Sequence, residues 1–437
     1  MKSPRSVVPQ LPRSAWTVLG GDTLSAIGSG LTLPFFVVYL HRVRGLEVEV
    51  AALALATVAV AGLAGNLIGG SLADRYGARN ALVLGLVLNA AGTGAMTLVH
   101  VPWQAFGAAA TLGLGVSIAW PAQDALLATV VTADQRSSVF SVRHATLNAG
   151  FGIGALLAAL IVDVSSPVTF VVLYLVDSAT FLAFIPILLT VKAGGRAERP
   201  AGKPTTGPLA DYRTILTDWV FLRIWVLTAL LVAAGFSQLH AMFPVFAIGP
   251  GGINEGALSI AFAANTFTVV AAQLVVLRWM QGRRRTTGVM LVCGFWAAAW
   301  AVTLLAGMMG GGPLAVATFA GALVVFAIGE TLLTPTLLPM VNDLIPDALR
   351  GRYNGVYTLA WTTGFMLGPA LAGMALGAGR PTAFLVALIG GCGLAAVAAW
   401  RLSAHVPAAA NIVGASEPDD TRAPRPVEVV PTAPEVV

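Results

Sequence analysis

The chain reads as an all-α polytopic membrane protein: twelve transmembrane helices in two pseudo-symmetric six-helix bundles. Three observations predict that class. Of the 437 residues, 57% are apolar and 10% charged, with a mean hydropathy of +0.82. A soluble domain carries about 25% charge, so the solvent of this chain is lipid. Its apolar residues fall into twelve runs, each near the ~20 residues that cross a bilayer. Finally, the two halves repeat at a fixed offset of 214 residues: Pro121, Arg136, Gly150, Gly154 and Ala158 are answered by Pro335, Arg350, Gly364, Gly368 and Ala372. Two similar halves can rock about a central site, which is how many secondary transporters work.

Residues 1–14, with Lys2, Arg5 and Arg13, form a cytoplasmic N-terminal arm. Span 1, at 15–40, is longer than a signal-peptide core and lacks a small-residue cleavage site, so it is expected to be retained. Spans at 50–72, 80–99, 105–131, 140–163 and 167–191 complete an N-terminal six-helix bundle over 15–192. Residues 193–218 form a cytoplasmic linker: GGRAERPAGKPTTGP is polar, and DYRTILTDWVF reads as a short amphipathic helix on the membrane surface. The C-terminal bundle, 219–402, holds spans at 220–247, 256–280, 286–309, 313–340, 352–378 and 382–402. Residues 403–437, rich in Pro, Ala, Val and acid, read as a disordered cytoplasmic tail.

Orientation follows from Lys and Arg. With both termini inside, cytoplasmic segments hold 22 of the 25, and only Arg42, Arg44 and Arg380 lie outside. The expected location is the cell (inner or plasma) membrane. The net charge of +5 does not point to nucleic acid, because the basic residues sit in short turns between apolar spans. Cys293 and Cys392 lie inside spans and read as buried thiols. No cofactor or metal is expected, since P-loop, H-E-x-x-H and nucleophile-elbow motifs are all missing. That argues against an enzyme. One chain carries twelve spans, so the expected working unit is a monomer whose partners are the bilayer, protons and a small-molecule substrate.

Between spans 2 and 3 stands Gly70-Ser-Leu-Ala-Asp74-Arg75-Tyr-Gly77-Ala-Arg79. Gly70 and Gly77 permit a tight turn and close helix approach. Asp74 can face a helix N-terminus, while Arg75 and Arg79 can meet carboxylates or lipid phosphates.

This string resembles the signature loop of the major facilitator superfamily, G-x-L-x-D-R-x-G-x-R/K. Gly150, Gly152 and Gly154 resemble the glycine-rich helix 5 of that superfamily's drug:proton antiporters, with Ala155 where the motif carries proline. The repeat partner in span 11 keeps the proline, as Gly364-x3-Gly368-Pro369-x3-Gly373. Asp22…Leu33-Pro34 and Arg350-Gly-Arg-Tyr-Asn-Gly355 are similar to the twelve-helix bacterial multidrug exporters. The second copy of the loop, Met280-Gln-Gly-Arg-Arg-Arg285, lacks the acid. The resemblance covers roughly residues 15–402. It implies that Asp74 helps to latch the cytoplasmic side closed near Arg352 and Tyr353. It further implies that helices 1, 4, 7 and 10 line a central cavity. The glycines of helices 2, 5 and 11, with Gly150, Gly154, Gly364, Gly368 and Pro369 foremost, would then let the halves pack and gate.

Four acids lie within spans: Asp22, Asp124, Asp177 and Glu330. A charge at the bilayer centre costs a few kcal/mol unless it faces protein or water. The sequence places no Lys or Arg at comparable depth, and Arg143 reads as an anchor at the cytoplasmic interface. An unpaired carboxylate in apolar surroundings is suited to exchanging a proton for a cation. Asp22 and Glu330 are the first candidates for proton coupling or substrate binding. Asp124, nearer the cytoplasmic end, suits a gate; Asp177, on a peripheral helix, suits either coupling or structure. His240 titrates near physiological pH when unperturbed. Trp120, Phe243 and Trp361 suit an apolar substrate surface.

The expected function is proton-coupled efflux of small hydrophobic or cationic compounds by alternating access. The alternative is a proton-coupled importer or exchanger of a neutral small metabolite such as a sugar.

Overall fold

The computed structural model of the chain describes residues 11–132, 135–163, 166–191, 214–345 and 350–414. Twelve helices among them are long and apolar enough to cross a membrane. They are α1 (Arg13–Val43), α2 (Val48–Tyr76), α3 (Ala78–Leu98), α4 (Pro102–Val130), α5 (Arg136–Ile161) and α6 (Pro167–Thr190) in the first half. The second half has α7 (Trp219–His240), α8 (Glu255–Met280), α9 (Arg285–Gly307), α10 (Gly312–Leu344), α11 (Arg350–Gly377) and α12 (Pro381–Leu402). The chain is a multi-pass membrane protein.

Helices in lipid gain little from burying apolar surface, so small residues and satisfied backbone groups decide how they pack. Gly150 and Gly154 of α5 lie against Ala26, Ile27 and Gly30 of α1, leaving no space for a side chain. Gly364 and Gly368 of α11 meet Val232 and Ser237 of α7 in the same way. Gly62, Gly65 and Gly69 of α2 pack on α4. These glycines therefore bind each half together. Contact between the halves falls to Gly152 against Thr266, Gly256 beside Ala159, and Gly373 and Gly377 against Ala52 and Glu49. Most of these lie toward the end of the bundle away from the termini.

Three helices depart from regular α geometry before their last turn. α1 tightens to a 3₁₀ turn at Leu33–Phe35, where Pro34 has no N–H to donate, and α10 opens at Thr334–Thr336 around Pro335. Pro121, the repeat partner of Pro335, leaves α4 unbroken. α7 widens to a π turn at Val232–Phe236. Its freed carbonyls are met by side chains: Gln238 Nε2 donates to Ala233 at 2.7 Å, and Trp300 Nε1 donates to Ala234 at 2.9 Å. Irregular backbone survives at membrane depth only with such partners. Trp296 stacks on Phe326 at 4.7 Å and receives the edge of Phe236, which fixes the same turn from the other side.

The turns that follow α2 and α8 are alike. Gly77 between α2 and α3 and Gly282 between α8 and α9 both adopt positive φ, 88° and 72°. A side chain is strained there, so both copies need glycine.

The first twelve residues of the expected tail depart from expectation. Residues 403–414 are folded, with a short helix, α13 (Ala408–Asn411). Asn411 Oδ1 accepts from the Thr286 N–H at 3.0 Å, Arg285 Nη1 donates to the Ala410 carbonyl at 2.7 Å, and Gly282 and Val413 pair through the backbone. The segment supplies partners that the start of α9 lacks by itself. In the linker, 214–217 form one helical turn that ends at Asp218, whose side chain caps α7 by accepting from Val220 and Phe221. The expected N-terminal arm as far as residue 10, the linker 193–213 and the tail from 415 lie outside the described residues.

Candidate functional site

The acids separate into three places. The first is a triad on α1, α4 and α5. Arg143 Nε donates to Asp22 Oδ2 at 2.9 Å, and Arg143 Nη1 donates to Asp124 Oδ1. The guanidinium lies 4.8 Å from the ring centre of Trp120, which shares a face of α4 with Asp124. Asp22 and Arg143 are buried, at 6% and 5% exposure, whereas the Asp124 side chain is 40% exposed. An acid open at that depth meets water rather than lipid.

This corrects the expectation that no cation shares the depth of the acids. Arg143 is not an interfacial anchor. It stands seven residues beyond Arg136, about 10 Å further along the same helix, and that spacing was the available signal. Two carboxylates share one guanidinium, so with both ionised the triad carries one uncompensated negative charge.

The second place is a cavity of about 180 Å³ between the halves. Pro34 of α1, Phe151 of α5, His240 of α7, Asn265 of α8 and Glu330 of α10 contribute to its walls. Glu330 faces the Asn265 amide, whose Nδ2 also donates to the Leu323 carbonyl at 3.3 Å. The His240 ring lies parallel to Phe262 with 6.0 Å between centres, and its Nδ1 has no partner. Gly30 at the cavity wall is eight residues from Asp22 on α1, about 12 Å along the helix. Asn265 gave no sequence signal, because an amide in an apolar span does not declare which helix it faces.

The third place is peripheral. Asp177 of α6 accepts from Thr32 Oγ1 at 2.6 Å and faces the Ser29 hydroxyl of α1, while its Oδ1 is buried without a partner. It reaches neither the triad nor the cavity. Of the expected aromatics, Trp120 joins the triad. Phe243 is buried among Phe262 and Phe319, and Trp361 packs on Phe236 and Phe365.

At the signature turn, Arg79 Nη2 donates to the Leu189 carbonyl at 2.9 Å, placing a cation at the C-terminus of α6. Arg75 is exposed, its guanidinium 5.4 Å from the Tyr76 ring centre. Tyr353 Oη donates to Asp218 at 3.2 Å, so its hydroxyl is engaged within the second half. The surroundings of Gly70, Asp74 and Arg352 lie outside the described side chains.

The fold is shared with solved transporters. A nucleoside transporter, NupG, superposes with a TM-score of 0.76 over 89% of this chain and 100% of its own, at 13% identity. Among sequences, the uncharacterized MFS-type transporter YttB of Bacillus subtilis (strain 168) is 25% identical over 373 residues, covering 83% of this chain and 88% of its own. A Na(+), Li(+), K(+)/H(+) antiporter of Planococcus maritimus is 26% identical over 394 residues, covering 82% and 88%. The family model described as Major Facilitator Superfamily matches residues 18–321 and 252–433. With its signature turn and duplicated halves inside that match, and all twelve helices reached by it, the chain belongs to the Major Facilitator Superfamily of membrane transporters.

Proposed function

We propose that this protein is a proton-coupled antiporter that exports small hydrophobic or cationic compounds across the cell membrane by alternating access. The observation that carries this reading is the Asp22–Arg143–Asp124 triad, with its single uncompensated negative charge and one water-accessible member. The bias of Lys and Arg supports an orientation with both termini in the cytoplasm, so Asp124 opens toward the cytoplasmic side. The halves touch toward the opposite end, which suits a conformation that loads from the cytoplasm. The antiporter relative from Planococcus maritimus supports cation–proton exchange as the class of reaction.

In this mechanism a cationic compound enters from the cytoplasm and replaces the proton held by the triad. The carboxylic acid becomes a carboxylate, the proton leaves to the cytoplasm, and the cation balances the charge left behind. Rocking of the halves then exposes the site outside, where a proton displaces the cation. The compound drives the change only through its different affinity for the two conformations. The cavity at Glu330, Asn265 and His240 holds the body of the compound. Glu330 supplies a second carboxylate there, and Phe151 and Phe262 supply apolar surface.

A second reading is carriage of a neutral metabolite, favoured by the amide, imidazole and carboxyl that line the same cavity. One experiment separates the two. The purified protein is placed in liposomes under an imposed pH gradient, and lipophilic monocations and neutral metabolites are scanned for movement linked to proton flux. Monocation movement that disappears in Asp22→Asn supports the antiporter. Movement of sugars or nucleosides, with monocations silent, replaces it with the second reading.

A further inference from the structure

A groove of about 880 Å³ runs between the start of α7 and the end of α12. It is remote from the triad, and the transport reading makes no use of it. Its long walls are apolar, with Val226 at 59% exposure and Leu394 at 67% facing outward from the bundle. At one end stand Trp219 and Trp400, both largely exposed, together with Arg223, Arg401 and His405. Neither arginine has an ion pair among the described residues, and no acid lines the groove. The nearest acid in sequence, Asp218, is engaged: one oxygen caps α7 and the other accepts from Tyr353.

We propose that this groove binds one anionic phospholipid, with its phosphate on Arg223 and Arg401 and an acyl chain along the α7 and α12 walls. Charge and depth together select that occupant. The basic end lies beside the aromatic pair, which is where a headgroup sits relative to interfacial tryptophans. Basic pockets between helices on that side of a membrane bind anionic headgroups. From Trp219 the walls continue to Val226 and Leu230, seven and eleven residues on, about 10–16 Å along the helix. That reaches into the hydrocarbon. An extended peptide cannot follow, because its backbone groups go unsatisfied there. An acyl chain has no such groups.

The test uses the full-length protein, purified in detergent and examined by native mass spectrometry with added dioleoylphosphatidylglycerol or dioleoylphosphatidylcholine. The wild type is expected to bind one phosphatidylglycerol in preference to phosphatidylcholine. Arg223→Gln with Arg401→Gln is expected to weaken that binding by about tenfold or more and to leave phosphatidylcholine unchanged. Arg278→Gln with Arg283→Gln, at the same end of the bundle, is the control and is expected to bind as the wild type does. Monodisperse elution of both variants establishes that they are folded, and Trp219→Ala with Trp400→Ala provides a second route to the same loss without altering charge. Unchanged phosphatidylglycerol binding in the Arg223/Arg401 variant overturns the proposal, as does equal loss in the control. Two further results would also overturn it: a protein dimer that those substitutions dissociate, or binding that inorganic phosphate matches without any lipid.

Discussion

Arg143 Nε stands 2.9 Å from Asp22 Oδ2 across the α1–α5 contact, and the same guanidinium holds Asp124 of α4. One cation therefore ties three helices of the first half and leaves a single negative charge to be balanced from outside the triad.

Removing Arg143 leaves two acids without a cation. Arg143→Gln is expected to destabilise the protein by about 3–5 kcal/mol, the cost of breaking a buried pair from one side. Adding Asp22→Asn removes one of the stranded charges and is expected to recover most of that loss. Denaturant unfolding of the single and double variants in lipid nanodiscs measures the coupling, and additive effects would show that the two side chains do not act together.

The cavity makes a separate prediction. Glu330→Gln keeps shape but removes charge, so it is expected to raise KM for monocations by about tenfold. Proton-linked exchange at saturating substrate is expected to persist, because the triad is intact. Initial rates in liposomes over a range of substrate concentrations read both quantities. A loss of proton coupling in this variant would move the coupling site from the triad to the cavity.

Contacts between the halves are tight at Gly373, where an added Cβ meets that of Ala52 at 2.7 Å. Gly373→Leu wedges α11 from α2 and is expected to slow turnover on the order of tenfold by hindering closure. Monocation binding measured by calorimetry is expected to stay near wild type. Unimpaired turnover would show that these helices need not approach so closely in the cycle.

At the other end of the chain, Asn411 Oδ1 satisfies the Thr286 N–H at the start of α9. Asn411→Ala is expected to cost about 1 kcal/mol, as other lost helix caps do. Truncation after residue 414 is expected to leave stability unchanged, whereas truncation after 402 lowers Tm. Equal Tm values for the two truncations would contradict a structural role for 403–414.

Much of the fold was legible because lipid imposes one rule on every span: a long apolar run with its backbone bonded internally. The repeat around Pro121 and Pro335 gave the two halves, yet only Pro335 interrupts its helix. A proline permits a break, and the packing around it decides whether one forms. The acids were legible as costly residues, but their partners were not. Arg143 counts as a loop cation in any one-dimensional tally of charge, and only the two helical turns between it and Arg136 carry it inward. Asn265 and Gln238 were invisible for a related reason: an amide acquires its role from the helix opposite. Residues 403–414 misled through composition, since Ala, Pro and Val resemble a solvated segment until Asn411 and Val413 find the turn at Gly282.

The central claim is that the triad exchanges one proton for one monovalent cation, and proton release on binding tests it most directly. Tetraphenylphosphonium is added to the purified protein in weakly buffered detergent solution while the pH is recorded. The account predicts release of a proton by the wild type and none by Asp22→Asn. Binding of the cation with no proton released by the wild type, or with equal release by Asp22→Asn, would contradict it.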